Sequence, residues 1–294
     1  MAAKVGPVYV GADIGGTKTL VLACDANGAE IHRQGFPTPQ SLATGLQRLT
    51  EAIEHVSAGA PIAAIGISIG GPIDRERGTV SPLHQPEWRD VPLRQLLQER
   101  FRCPCRIEVD TDAAALGEWY FGGVQDSPLV YVTLSTGVGG ALLLEGSLYR
   151  GAGGCHPELG HQVVPNEFGD PHPVTCSCGA TNCLEALISG RALQQRFGCT
   201  PAQLPKEVWN TVGRILGHGL RNIAALYAPK RIVLGGGIAV HAAAHLLPVA
   251  QAMLQEDLRI VPQPEVSVSR LGYETALWGA VAVAMGYNTT RPRS

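Results

Sequence analysis

The stretch VYVGADIGGTKT, residues 8–19, decides the fold. Its first seven residues are apolar and β-branched and read as a strand, GGTK reads as a tight turn, and TLVLACD, residues 19–25, reads as a second strand. The pattern then returns. LVYVTLS, residues 129–135, reads as a strand, TGVGG as a turn, and ALLLEGSLY, residues 141–149, as a strand. Placing VYV at 8–10 on VYV at 130–132 puts Asp13 on Ser135 and Gly15 on Gly137. This reads as an internal duplication. It predicts two similar lobes with facing glycine turns and a ligand cleft between them.

The rest of the chain alternates in the same way. Leu42, Leu46, Leu49, Ile53 and Val56 recur at helical spacing. Residues 63–73, AAIGISIGGPI, form a strand that ends in a Gly-Gly-Pro bend. A helix LRQLLQERF, a strand CRIEVD and a helix DAAALGEWYFG follow, with Asp110 and Asp112 where carboxylates suit a helix N-terminus. Further on lie a helix near ISGRALQQRF and a long one over residues 206–227. The chain then shows a strand KRIVLGGG, residues 230–237, and a closing helix ETALWGAVAVAMGY. The class is α/β, with domains expected at residues 1–118 plus 282–294 and at residues 119–281.

Composition narrows the function. The 294 residues are 45% hydrophobic and 16% charged, with 36 glycines and a net charge of −2. That balance gives no electrostatic reason to expect nucleic acid or an acidic membrane as a partner. The first residues lack the apolar core of a signal peptide, and no apolar run approaches the ~18 residues of a membrane span. A cytoplasmic protein is expected, whose eight cysteines stay reduced.

The glycine turns suit phosphate. Gly15 and Gly16 let backbone N–H groups approach phosphate oxygens, Thr17 adds a hydroxyl, and Lys18 adds positive charge. Asp13 would act through a metal ion and its waters. Thr136, Gly137 and Gly139 could grip the same phosphates, and Gly235, Gly236 and Gly237 could let an adenine ring lie flat on the backbone. The alternative for each is a plain hairpin turn. The GxxxxGK[ST] loop is absent.

CSCGATNC, residues 176–183, puts three cysteines in eight residues, and His161 stands fifteen residues before Cys176. His161, Cys176, Cys178 and Cys183 make a complete four-coordinate zinc set with no open position, which implies a structural metal. The alternative is reduced thiols in a loop. Asp110 is a candidate general base after the strand CRIEV, or equally a helix cap. Asp112 is its rival and reads better as a first-turn charge.

DIGGTKT, LSTGVGG, PELGH, CSCGATNCLE and VLGGG, in this order from about Val8 to Ala284, closely resemble the ROK family of sugar kinases and repressors. The resemblance implies two actin-like, ribonuclease H-like lobes with an interlobe cleft and a zinc loop whose ligands match the four positions above. It implies ATP, Mg²⁺ and a sugar as ligands, structural Zn²⁺, and a homodimer or homotetramer. Asp110 matches the base in the motif E-N-D-A-N-A-A-A-L-G-E; here the chain reads Glu108-Val109-Asp110-Thr111-Asp112. Gly71, Glu158, His161 and Glu185 are expected at the sugar, with zinc holding Glu158 and Glu185 in place through His161 and Cys183.

Two departures stand out. The Asn expected before the base is Val109, and the Asn expected in SPLHQPEWRDVPL, residues 81–93, is His84. Both belong to the sugar site, so strict glucose specificity is not expected. HPELGH, residues 156–161, resembles the fructokinase branch. The expected activity is phosphorylation of glucose or fructose to a hexose 6-phosphate. The alternatives are an amino-sugar kinase for N-acetylmannosamine or N-acetylglucosamine, a sugar- and ATP-binding protein without turnover, or polyphosphate as donor. A repressor would need a helix-turn-helix before the first strand, where seven residues stand. A zinc-ribbon nucleic-acid binder conflicts with the near-neutral charge.

Overall fold

Residues 8–24 form the hairpin that their pattern predicts. In the computed structural model, which describes residues 6–287, β1 (Val8–Ile14) pairs antiparallel with β2 (Lys18–Cys24). The expected domain ends at residues 1–5 and 288–294 lie outside the described residues. β3 (Glu30–Pro37) extends the hairpin. Helix α1 (Leu42–Ser57) then buries Leu49, Ala52, Ile53 and Val56, and β4 (Ile62–Ile69) lies parallel to β1. A small hairpin, β5 (Ile73–Asp74) with β6 (Thr79–Val80), leads to α2 (Leu93–Phe101). β7 (Cys105–Val109) runs without a loop into α3 (Asp110–Tyr120). The sheet order is β3-β2-β1-β4-β7. Val10, Ala12, Ile65, Ile67 and Ile69 are fully buried, as befits strands covered on both faces.

The closing helix, Thr275–Ala284, packs on α3, β1 and β4. Glycine permits the approach. A Cβ on Gly279 would lie 1.8 Å from the Ala113 carbonyl oxygen, and one on Gly66 would lie 2.0 Å from that of Ala280. The expected boundary at residue 282 cuts this helix. Its packing keeps it whole in the first compact unit, which runs to Gly123 and resumes at Glu274; the second unit is Val124–Tyr273.

The second unit repeats the strand order. β8 (Leu129–Leu134), β9 (Val138–Leu144) and β10 (Ser147–Leu148) are antiparallel neighbours. Helices α4 (Leu184–Ile188), α5 (Gly190–Phe197) and α6 (Lys206–Tyr227) follow. β11 (Arg231–Gly235), α7 (Gly236–Asp257) and β12 (Glu265–Val268) complete the unit. The order β10-β9-β8-β11-β12 is that of the first sheet, and β8 pairs parallel with β11 as β1 does with β4. The duplication is therefore one of topology. Its alignment shifts, however. Asp13 is the penultimate residue of β1, and Thr133, not Ser135, holds that place in β8. The shift of two residues keeps every side chain on its face.

Three local readings change. The second turn is only residues 135–137, and Gly139 belongs to β9 opposite Thr133. ALLLEGSLY breaks at Glu145 and Gly146, both at positive φ, into β9 and β10. The third is α7, which pattern reading left out. By length and composition the stretch Gly236–Glu256 would cross a membrane. It is no continuous apolar run, since His241, His245 and Gln251 interrupt it. Its Ile238, Ala242, Leu246, Ala250 and Leu254 share one face and are buried in the core with Val212, Ile215, Leu216 and Leu220 of α6.

Candidate functional site

In the first unit the loop after β1 is held by long-range polar contacts. The Gly15 N–H donates to the Lys18 carbonyl at 3.0 Å. The Gly15 carbonyl accepts from Thr38 Oγ1 at 2.8 Å and from Gln85 Nε2 at 3.0 Å. Thr38 also donates its N–H to the Thr17 carbonyl. Gln85 and Thr38 are buried, so the loop is locked from below while Thr17 and Lys18 are exposed. The Lys18 stem lies beside Gly35 on β3. His84 is exposed and rests against Gly16, where an added Cβ would lie 3.1 Å from the His84 Cβ. The Gly71 carbonyl accepts from the Leu83 N–H at 3.2 Å, and nothing lies within 4 Å of a Cβ placed on Gly71.

Two carboxylates of this unit, Asp13 and Asp110, differ in their surroundings. Asp13 is half-buried, and its Oδ1 accepts from Ser68 Oγ at 2.8 Å. Burial pushes the Asp13 carboxyl up to about 7; the Ser68 hydrogen bond opposes this, and the Asp110 charge adds to it. Asp110 is exposed at the first position of α3, and its Oδ1 accepts from the Thr111 N–H at 2.7 Å. The cap position of α3 belongs to Val109, which is buried. Asp112 is not a solvated first-turn charge. It is fully buried, with Arg75 bridging it at 3.0 Å and Glu108 at 2.6 Å.

In the second unit the Ser135 N–H donates to the Gly137 carbonyl, and the Ser135 and Thr136 carbonyls accept from the N–H groups of Gly190 and Arg191. The turn is thereby fixed to the start of α5. Thr136 and Gly237 line one cavity of about 530 Å³ with Arg191, Gln194 and Tyr273. Gly236 has φ +84°, and a Cβ there would lie 2.5 Å from the Leu134 carbonyl oxygen, so the helix start needs glycine. Gly235 and Gly236 lie against Tyr131 and Thr133, and Gly237 lies beside Tyr273.

Glu158 and His161 line a second cavity of about 270 Å³ with Gln162 and the end of α6. Their segment is a single tight turn, Leu159–His161, not an α-helix. Pro157 precedes it, and a Cβ on Gly160 would lie 1.8 Å from the Val138 carbonyl oxygen. Glu158 is exposed, with His156 Nε2 at 3.5 Å. Glu185 belongs to α4, which packs on this turn. Its Oε2 accepts from the Val138 N–H at 3.0 Å and lies against Gly137.

The donor atoms of His161, Cys176, Cys178 and Cys183 all lie within 4.8 Å of one another. Cys176 Sγ is 3.5 Å from His161 Nδ1, and the Cys178 and Cys183 sulfurs are 3.6 Å apart. Such spacings suit a tetrahedral zinc with bonds of ~2.0–2.3 Å. Burial, with the neighbouring sulfurs, pushes the Cys183 thiol up to about 12, and a divalent cation would offset that penalty. The soft, closed donor set fits structural zinc. Cys183 caps α4, whose second residue is Glu185, so a metal at this loop would brace the Ser135 turn.

Sequence reading missed Thr38, Gln85, Ser68 and Arg75 in the first unit and Arg191, Gln194 and Tyr273 in the second. None sits in a glycine motif. Only Gln85, beside the departure at His84, carried a local signal.

Two α/β units of one strand order, with glycine turns, paired carboxylates and a Cys₃His cluster, define an actin-like ATPase-type fold. The model of the ROK family matches residues 9–286, and the chain belongs to that family. It is 29% identical to a glucokinase of Streptomyces coelicolor over 94% of this chain and 96% of that one. It is 33% identical to a putative fructokinase of Bacillus subtilis over 78% of this chain and 76% of that one. Among solved structures it resembles a ROK family glucokinase from Streptomyces griseus in complex with glucose and AMPPNP. The TM-score is 0.79 at 28% identity, covering 95% of this chain and 99% of that chain.

Proposed function

We propose that this protein is a sugar kinase that transfers the terminal phosphoryl group of ATP to a hexose hydroxyl, with glucose or fructose as acceptor and the hexose 6-phosphate as product. The observation that carries the reading is the exposed Asp110 carboxylate, placed where β7 passes directly into α3, in the same unit as the Gly15–Lys18 loop. Phosphoryl transfer needs alignment, charge neutralisation and a carboxylate to take the hydroxyl proton. Asp110 is assigned that proton. Gly15, Gly16, Thr17 and Lys18 are assigned phosphate contacts, as are Thr136, Gly137 and Gly139. Gly235, Gly236 and Gly237 are assigned to the nucleotide, with Gly237 lining the 530 Å³ cavity and the other two shaping the helix start beside it. Asp13 offers the hard oxygen that Mg²⁺ prefers; when bound, the ion would neutralise charge developing on the phosphates. Glu158, His161 and Glu185 are assigned to sugar orientation, and His161 with the three cysteines to zinc.

The relatives' names support both hexoses, and two residues argue against a narrow choice. Val109 has no side-chain hydrogen bond to give, and His84 replaces an amide with an imidazole. A site that hydrogen-bonds every hydroxyl discriminates strongly, and this one has fewer such groups.

The test is ADP release with MgATP over glucose, fructose, mannose, N-acetylglucosamine and N-acetylmannosamine, with Asp110→Asn in parallel. Turnover of one hexose that falls by about 10²–10⁴-fold in the variant supports both assignments. Folded, zinc-loaded protein that turns over no sugar on the panel overturns the kinase reading.

A further inference from the structure

Asp110 sits where a strand becomes a helix with no intervening loop: β7 ends at Val109 and α3 begins at Asp110. Glu108 precedes it by two residues and Asp112 follows it by two, and both are buried. Arg75 joins them. Its Nε and Nη2 donate to Glu108 Oε1 at 2.9 and 2.6 Å, and Nη2 donates to Asp112 Oδ2 at 3.0 Å. Glu108 Oε1 also accepts the Val109 N–H at 2.9 Å. Arg75 is itself held, because its carbonyl accepts from Arg94 Nη1 of α2 at 2.9 Å. A planar guanidinium with a fixed fork can bridge two carboxylates rigidly, and an ammonium cannot.

We propose that Arg75 is a positioning residue for phosphoryl transfer. Its guanidinium clamps the residues on both sides of Asp110 and fixes the angle at which the Asp110 carboxylate leaves the β7–α3 junction. The proposal rests on Asp110 being the base. Arg75 acts through Glu108 and Asp112 and is not assigned contact with a substrate. Clamping of this kind matters because a displacement of about 1 Å at a reacting group can lower turnover by ~10²-fold.

The test uses full-length, zinc-loaded protein. Arg75→Lys keeps the positive charge and loses the fork. A triple variant, Arg75→Met with Glu108→Gln and Asp112→Asn, removes the bridge together with its own three charges, so it guards against failure to fold. Hydrogen exchange is read on peptides covering residues 105–113, and kcat and KM are read for sugar and for ATP. The expected result is faster exchange confined to that segment, a fall in kcat of tenfold or more, and KM values within about twofold of wild type. Unchanged exchange with unchanged kcat overturns the proposal, as does faster exchange with wild-type kcat. A fall in kcat matched by a fall in active fraction, with exchange raised throughout the chain, overturns it in favour of a purely structural role. If wild type turns over no sugar yet Arg75→Lys loosens only residues 105–113, the clamp stands and the kinase reading falls.

Discussion

Asp13→Asn is expected to make this protein more stable and inactive. The wild-type carboxyl titrates at about 7, against 3.8 in an unperturbed chain, because burial disfavours its charge and Asp110 repels it. At ~1.4 kcal/mol per pK unit that difference corresponds to about 4 kcal/mol. Asp13 is only half-buried, so solvent screening lowers the working figure to about 2 kcal/mol. The sign follows from the raised value. Below pH 3.8 the group is protonated in both folded and unfolded chains, and the penalty is absent. It grows as pH rises from about 4 to about 7, because the unfolded chain releases its proton first, and it is constant above. Asparagine keeps an acceptor for the Ser68 hydroxyl and carries no charge. Urea unfolding in chelator-free, magnesium-free buffer should therefore give nearly equal stabilities at pH 4 and a variant about 2 kcal/mol more stable at pH 8. Added Mg²⁺ should stabilise the wild type and leave the variant unmoved. Parallel stability curves from pH 4 to pH 8, or a variant less stable at pH 8, would refute the reasoning.

Three further outcomes are expected. Cys183→Ser should drop bound zinc, read by elemental analysis, from one equivalent per chain to a small fraction, and lower the thermal midpoint in the same preparation. Gly279→Ala pushes a methyl to 1.8 Å from the Ala113 carbonyl oxygen, so it should destabilise by about 3 kcal/mol in denaturant; a change under half a unit would mean the closing helix can shift freely. Gln85→Leu removes one of two side-chain donors to the Gly15 carbonyl and should raise KM for ATP several-fold while costing about 1 kcal/mol of stability; an unchanged KM would release the loop lock from any role in nucleotide binding.

What could be read from the chain were the features that repeat locally. The two hairpins announced themselves because β-branched runs end at glycines, and α6 did so because its apolar residues keep a helical spacing over residues 206–227. The convergence of His161 with the three cysteines was legible because cysteines rarely cluster without cause. The misreadings share a different origin. Glu158 and His161 would share one side if their segment were helical, but it is a single tight turn, Leu159–His161. Asp112 looked like a surface charge because its partner Arg75 is 37 residues away. Gln85 and Thr38 hold Gly15 from 70 and 23 residues away, and no local pattern carries such contacts. α7 was missed because histidines and glutamine interrupt its apolar run in sequence.

The duplicated frame carries different side chains in its two copies, and on the proposed reading the difference suits phosphoryl transfer. In the first unit the strand ends present carboxylates, with Asp13 at the end of β1 and Asp110 just after β7. In the second, the place of Asp13 is taken by Thr133, and β11 passes through Gly235 directly into α7, whose first residue needs positive φ. A helix that starts on glycines leaves backbone N–H groups free to meet anionic oxygens, and a carboxylate there would repel them. On the proposed reading the first copy carries the metal and proton groups beside its own phosphate loop, and the second carries the glycine helix start for the nucleotide. The half-buried charge at Asp13 is a place where the frame gives up stability, and a neutral residue stands at the matching position in the second copy.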